Sequence, residues 1–271
     1  MLWFERYVMR ADVRRYRTRL ESGLDRVGLR SRLRRLYWQL GVPKLLYRVS
    51  SRETICHEIG DQNVEFPLAA DWQYERFRWM HPEYELFEEL GEELAAGDVV
   101  YDVGAHLGWH AVVAAAVAPD VTVEAFEPHP GVADRLREVV DTTGHDIRVH
   151  ECALSDATQT AEFTADPTPA ARLSTAQPDA LDATIEVETA TGDRLVDEER
   201  IAPPDVIKID AEGADAAVLR GLEETITTHE PRIIYCEVHV DGERIRELLS
   251  AAGYECEPVF SSRPVLRATP A

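Results

Sequence analysis

Val100-Tyr101-Asp102-Val103-Gly104-Ala105-His106-Leu107-Gly108 is the stretch that decides how this chain folds. A run rich in β-branched and aromatic side chains enters two glycines, and an apolar segment, residues 109–118, follows. The pattern reads as a short buried strand (98–103), a tight turn and a helix. Glycines let the backbone bend sharply and let a ligand approach the main chain. The helix that follows offers free N–H groups and partial positive charge at its start. The spacing is not the phosphate-binding G-x-G-x-x-G, whose second glycine is missing, and no Gly-Lys-Ser/Thr of a Walker loop follows. An acid two residues before the first glycine suits a cation or an amine better than a pyrophosphate.

Reading outward toward the C-terminus, strand and helix patterns alternate. Strands are expected at 121–126, 147–153, 205–210, 232–237, 254–260 and 264–268, with a peripheral one at 184–190. Helices are expected at 131–141, 214–226 and 243–252. Residues 155–183 are rich in Asp, Thr, Ala and Pro without a clear period and read as a loop or lid. This alternation predicts a mostly parallel sheet with helices on both faces. Toward the N-terminus, residues 74–94 read as helix interrupted at Pro82. Residues 54–59 and 63–67 read as a hairpin turned at Gly60-Asp61, and 1–50 read as helical. The expected division is a basic helical extension with a short hairpin over 1–70 and an α/β domain over 71–271.

Of 271 residues, 45% are hydrophobic, which excludes disorder throughout; the net charge is −21. That charge is unevenly spread. Residues 1–50 hold 13 Lys+Arg against 4 Asp+Glu, net +9, so the other 221 carry −30. The acidic body should repel nucleic acid. The basic head has two readings: a subdomain docked on the acidic body, or an amphipathic segment over residues 1–40, with Leu2, Trp3, Phe4 and Tyr7 among arginines, touching an anionic membrane. Lys44 and Lys208 are the only lysines, against 27 arginines. Many carboxylates with few lysines point to a salt-rich, halophilic cytoplasm, where salt screens self-repulsion. Cys56, Cys152, Cys236 and Cys256 form no C-x-x-C pair, so no zinc knuckle or dithiol motif is expected. No apolar run is long enough to span a bilayer. The N-terminus lacks a signal-peptide pattern. A cytoplasmic protein, in peripheral contact at most with the inner membrane face, is the expectation.

The candidate site residues lie where the strands end. Glu127 closes the second strand next to the glycine turn, where a carboxylate accepts both hydroxyls of a ribose. Four segments together, the glycine motif, Phe126-Glu127-Pro128, Ala153-Leu154-Ser155-Asp156 and Ile207-Lys208-Ile209-Asp210-Ala211-Glu212-Gly213-Ala214, resemble the FkbM family of S-adenosylmethionine-dependent methyltransferases. The resemblance covers residues 98–258. It implies a Rossmann-like class I methyltransferase fold with a seven-stranded sheet. The activity implied is methylation of a hydroxyl oxygen on a sugar, glycan or other small hydroxylated metabolite. It assigns Asp102, Gly104, Ala105 and Gly108 to the cofactor loop, Glu127 to the ribose, and Ala153 and Asp156 to adenine. Two positions depart from the family pattern: His106 and His129 stand where Asn is common. His106 bears on the shape of the methionine end of the site and is, with Glu212, an expected substrate contact.

Asp210 ends the strand next to the first one, near the sulfonium end of such a cofactor. It can orient the methionine amine or the acceptor hydroxyl, whose proton must leave for methyl transfer. Glu212 either contacts substrate or stabilises a helix N-terminus. In Glu237-Val238-His239 the i and i+2 side chains share a side, and a carboxylate raises the basicity of a histidine. His239 is the first choice for general base, Asp210 the second, with Glu237 supporting. These four side chains would also suit magnesium or manganese; the spacing does not establish it, and no metal is expected. Lys208 reads as snorkelling from a sheet face or pairing with an acid. Competing functions are a non-catalytic partner in a glycan-assembly complex and a nucleotide-dependent oxidoreductase; the missing G-x-G-x-x-G speaks against the latter.

Overall fold

The computed structural model describes residues 54–60, 62–67, 84–164, 184–259 and 264–271. The chain divides into two units, Met1–His81 and Pro82–Ala271. In the first, β1 (Thr54–Ile59) and β2 (Gln62–Pro67) pair antiparallel, the hairpin read from the sequence. The helical reading of residues 1–50, and the early part of the 74–94 helix, lie outside the described residues.

The second unit carries, in order, α1 (Tyr84–Glu93), β3 (Val99–Val103), α2 (Trp109–Val117), β4 (Thr122–Phe126), α3 (Pro130–Thr143), β5 (Ile147–His150), β6 (Ala153–Leu154), β7 (Gln159–Thr164) and β8 (Thr184–Ala190). There follow α4 (Gly192–Asp197), β9 (Val206–Ile209), α5 (Asp215–Gly221), α6 (Glu223–His229), β10 (Ile233–Glu237), α7 (Gly242–Ala251), β11 (Tyr254–Pro258) and β12 (Val265–Pro270). Seven strands form one sheet in the order β11-β12-β10-β9-β3-β4-β5. Neighbours from β10 through β5 are parallel, whereas β12 runs antiparallel to both β10 and β11. The mostly parallel seven-stranded sheet with helices is the expected architecture. A separate sheet, β6-β8-β7, projects from it.

The central strands are buried on both faces and are therefore mostly apolar, with one buried charge each in β3, β4 and β9: Asp102, Glu124 and Lys208. Val206, Ile207, Ile234 and Tyr235 are fully enclosed. Each such aliphatic side chain stabilises the fold by about 1.5–3 kcal/mol. Tyr101, Phe126, Ile207, Val218, Leu222 and Ile234 belong to one core cluster beneath the strand ends that carry the candidate site.

Three segments differ from the sequence reading. The strand expected at 147–153 stops at His150, and Ala153–Leu154 turns into the smaller sheet. Within the stretch read as an aperiodic loop, Gln159–Thr164 is a strand paired antiparallel with β8; only one side of it is covered, with Phe163 buried, so its apolar signal is thin. The single helix expected at 214–226 is two helices meeting at Leu222. The break coincides with close packing: a Cβ on Gly221 would stand 1.9 Å from the Ser155 carbonyl oxygen. The short helix α4 was not anticipated; Thr191 caps it by accepting the Arg194 N–H.

Candidate active site

The strand order reverses between β3 and β9, and in open parallel sheets ligands sit outside the carboxyl ends at such a point. There the first glycine is required by space. Gly104 has φ +74°, and a Cβ on it would lie 2.0 Å from the Asp210 carbonyl oxygen. The turn is held on all sides. The Gly104 and Ala105 N–H groups both donate to the Phe126 carbonyl, each at 3.0 Å. The His106 N–H donates to Glu127 Oε2 at 3.0 Å, and the His129 N–H donates to Oε1 at 2.8 Å. Glu127 is 5% exposed. Burial pushes its pKa up to about 7, against the backbone N–H groups and the charge of Lys208, which pull it down. The acid closing β4 is thus anchored directly to the glycine turn.

The two histidines at positions where Asn was expected keep conformational duties that Asn performs. His106 has φ +50°, a left-handed conformation in which Asn and His are both enriched. His129 caps α3, its Nδ1 accepting the Gly131 N–H at 3.1 Å.

Asp102 lies at the bottom of the turn, 1% exposed. Its Oδ1 is 2.9 Å from Lys208 Nζ. The angles miss hydrogen-bond geometry, so neither oxygen of Asp102 receives a hydrogen bond among the described residues. An orphaned buried carboxylate oxygen is what an ammonium-bearing ligand end would satisfy. Lys208 also donates to the carbonyls of Gly104 at 3.1 Å and Val103 at 3.3 Å, and Asp210 Oδ2 stands 3.9 Å away. Of the two readings of this lysine, pairing with an acid is the one found; it does not snorkel.

On the other side of the turn, four carboxylates surround one imidazole. Asp210, Glu212 and Glu237 lie 3.4, 3.6 and 3.8 Å from His239 Nε2. Asp215 Oδ2 is 3.4 Å from Nδ1. Asp215 is buried and fixed, its other oxygen accepting the Ala211 N–H at 2.9 Å. Burial alone would lower the pKa of His239. The hydrogen bond to Asp215 and the charges of Asp210, Asp215 and Glu212 outweigh it and raise the value to about 9. His239 is therefore an imidazolium at neutral pH, a hydrogen-bond donor first and a base only once deprotonated. Asp210, Glu212 and His239 also offer ligand atoms within 4.8 Å of one another, a spacing at which a divalent cation could be held. A small cavity walled by Leu86, His110, Tyr235 and Val265 reaches Asp210 and Glu237.

The structure thus gathers Asp102, Gly104, Ala105, His106 and Glu127 around one turn, and Asp210, Glu212, Glu237 and His239 around one imidazole, with Lys208 between the groups. Gly108 serves from behind the turn: it caps α2 at φ +78°, and a Cβ there would meet Leu136 at 2.3 Å. Ala153 is buried in the small sheet's cluster. Asp156 is half-exposed and pairs with Arg220 at 2.8 Å. Sequence reasoning missed Asp215, because an acid in the first turn of a helix reads as ordinary dipole compensation. Its signal is the spacing from Ala211, which lets the side chain reach back to a backbone N–H.

Residues 102–256 match the family model of the methyltransferase FkbM domain. The chain belongs to the FkbM methyltransferase family. Among similar proteins, the hexuronic acid methyltransferase AglP of Haloferax volcanii is 28% identical over 206 residues, covering 76% of this chain and 84% of that protein. The 31-O-demethyl-FK506 methyltransferase FkbM of Streptomyces tacrolimicus is 33% identical over 217 residues, covering 65% of this chain and 81% of its own. A crystal structure of methyltransferase FkbM from Methylobacillus flagellatus KT is similar with a TM-score of 0.49 at 15% identity; the match covers 72% of this chain and 52%, about half, of that one. Among the described residues of this FkbM protein, no helix is long and apolar enough to cross a membrane.

Proposed function

We propose that this FkbM enzyme binds S-adenosylmethionine at the Gly104 turn and transfers its methyl group to a hydroxyl oxygen of a sugar, glycan or other small hydroxylated metabolite. The observation that carries the reading is Glu127: a buried carboxylate whose two oxygens are fixed on the backbone of His106 and His129, against the turn that Gly104 makes possible. Each oxygen keeps lone-pair capacity for a ribose hydroxyl. The Asp102 carboxylate, ion-paired with Lys208 through Oδ1 and accepting no hydrogen bond at Oδ2 among the described residues, fits the amino-acid end, and Asp156, following β6, is assigned to adenine. When bound, the cofactor supplies a methyl carbon activated by positive sulfur.

The chain's own residues then have to place the acceptor oxygen in line and take its proton. Asp210 and Glu237, lining the small cavity, orient the acceptor hydroxyl, and Glu212 contacts the acceptor. Asp215 fixes the His239 ring, and His239 takes the hydroxyl proton in its neutral form. Two sugar- or metabolite-directed relatives support the acceptor class, and the Haloferax relative together with the carboxylate-rich, lysine-poor composition supports a halophilic cytoplasm as the setting. Residues 1–40 are proposed as a peripheral contact with the anionic inner face of the membrane.

Calorimetry with S-adenosylhomocysteine in high salt tests the cofactor reading. Wild-type protein should bind, and Asp102→Ala and Glu127→Ala should weaken binding by at least about tenfold each. No binding by folded wild-type protein would end the proposal. Comparison of glycans and lipids from a deletion strain with wild type should show a lost methyl group, which identifies the acceptor; a glycan and lipid profile unchanged by the deletion would count against the acceptor class.

A further inference from the structure

Lys208 is a buried ammonium, 3% exposed, between the two groups of site residues. It is the register partner of Asp102 on the adjacent parallel strand, so the two side chains leave the same face of the sheet. An ammonium has three N–H groups and no acceptor. Here it donates to two oxygens, the Gly104 carbonyl at 3.1 Å and the Val103 carbonyl at 3.3 Å, and forms an ion pair with Asp102 Oδ1 at 2.9 Å. The turn is thereby gripped from two sides. Its N–H groups go to the Phe126 carbonyl and to Glu127, and its carbonyls go to Lys208. Glu127 governs the side on which the nucleoside is proposed to sit. Lys208 governs the side of Asp102, whose Oδ2 is buried and accepts no hydrogen bond among the described residues.

We infer that Lys208 is the positioning residue for the amino-acid end of the cofactor: it sets the direction of the Asp102 carboxylate and of the Val103–Gly104 peptides, and it reaches the nucleoside end only through its charge, which acts on Glu127 without a hydrogen bond. The inference rests on the cofactor reading above. It distinguishes this lysine from a residue that merely stabilises the sheet, since a loosened sheet would weaken every part of the ligand alike.

The test compares S-adenosylhomocysteine with 5′-methylthioadenosine, which keeps the nucleoside and thioether but lacks the amino-acid end. Lys208→Met should bind S-adenosylhomocysteine about 10- to 100-fold more weakly and lose clearly less affinity for methylthioadenosine, whose ribose acid Glu127 feels only the missing charge. Because this variant leaves the Asp102 charge buried and unpaired, it is paired with a second one, Lys208→Met/Asp102→Asn, compared against Asp102→Asn alone. The double variant, folded by circular dichroism, should still bind S-adenosylhomocysteine at least about tenfold more weakly than Asp102→Asn. Equal losses for the two ligands, or equal affinities of Asp102→Asn and the double variant, would overturn the positioning role while leaving the cofactor site standing. Failure of the wild type to bind either ligand would overturn both.

Discussion

Replacing His239 by Gln isolates the most strongly perturbed histidine of the site. Its pKa in the folded protein is about 9, against 6.5 for the free side chain. At 1.36 kcal/mol per unit, the imidazolium is held by the surrounding carboxylates with a free energy on the order of 3 kcal/mol. Because the folded value lies above the unfolded one, this stabilisation is complete below pH 6.5. It declines as pH rises from there and is gone above about 9. His239→Gln should therefore destabilise the protein by on the order of 3 kcal/mol at pH 6 and by much less near pH 10, where only packing is lost. The assay is urea unfolding of both proteins at several pH values and one fixed salt concentration; guanidinium is avoided because it would change the ionic strength, and with it the screening, along each titration. The same proton has to leave before His239 can act as base, so turnover should climb with pH up to about 9. A stability difference that stays flat between pH 6 and pH 10 would refute the carboxylate cage as the cause. A turnover that is level across that range would remove His239 as the base.

Two further outcomes follow from individual contacts. Glu127→Gln leaves one of the N–H groups of His106 and His129 facing an amide N–H, which costs about 1–3 kcal/mol. In a unit of this size that lowers the melting temperature by about 2–4 °C per kcal/mol, and an unchanged melting curve would contradict the hydrogen-bond assignment. Asp156→Ala breaks an ion pair between half-exposed partners and should cost at most about 1 kcal/mol of stability. If the carboxylate reaches adenine, S-adenosylhomocysteine affinity drops in Asp156→Ala but holds in Arg220→Ala; matching affinities in the two variants would leave Asp156 as a surface ion-pair partner alone.

The parts of the fold that were legible from sequence are those buried on both faces. β3, β4, β9 and β10 are short, mostly apolar runs, each of the first three broken by one buried charge (Asp102, Glu124, Lys208), and their alternation with helices marks them as strands of a parallel sheet. The small sheet was half legible. β8 alternates Ile185, Val187 and Thr189, whereas β7 presents mostly polar residues to solvent and gives its partner only Ala161 and Phe163. The break at Leu222 has one local mark, Gly221, which the helix reading passed over; the close approach it permits, to the Ser155 carbonyl more than sixty residues away, has none. In the site, Asp102, Glu127 and Asp210 were readable because strand ends in this layout converge. The charge state of His239 was not. Glu237 at i−2 suggested a basic histidine, but the shift comes from Asp215, Asp210 and Glu212, which the parallel pairing of β9 with β10 carries to the same sheet edge.

The placement of β12 has a consequence for assembly. It follows β11 in the chain yet lies between β11 and β10, antiparallel to both. Until residues 265–270 arrive, the outer edge of β10 is open, and β11 has no seat in the sheet. The ordinary right-handed crossover through α7 would deliver β11 to that same edge in parallel, a rival docking that the chain has to avoid. The two strands are therefore best placed to dock together as one hairpin, and a nascent or truncated molecule exposes an apolar strand edge of the kind that recruits other chains.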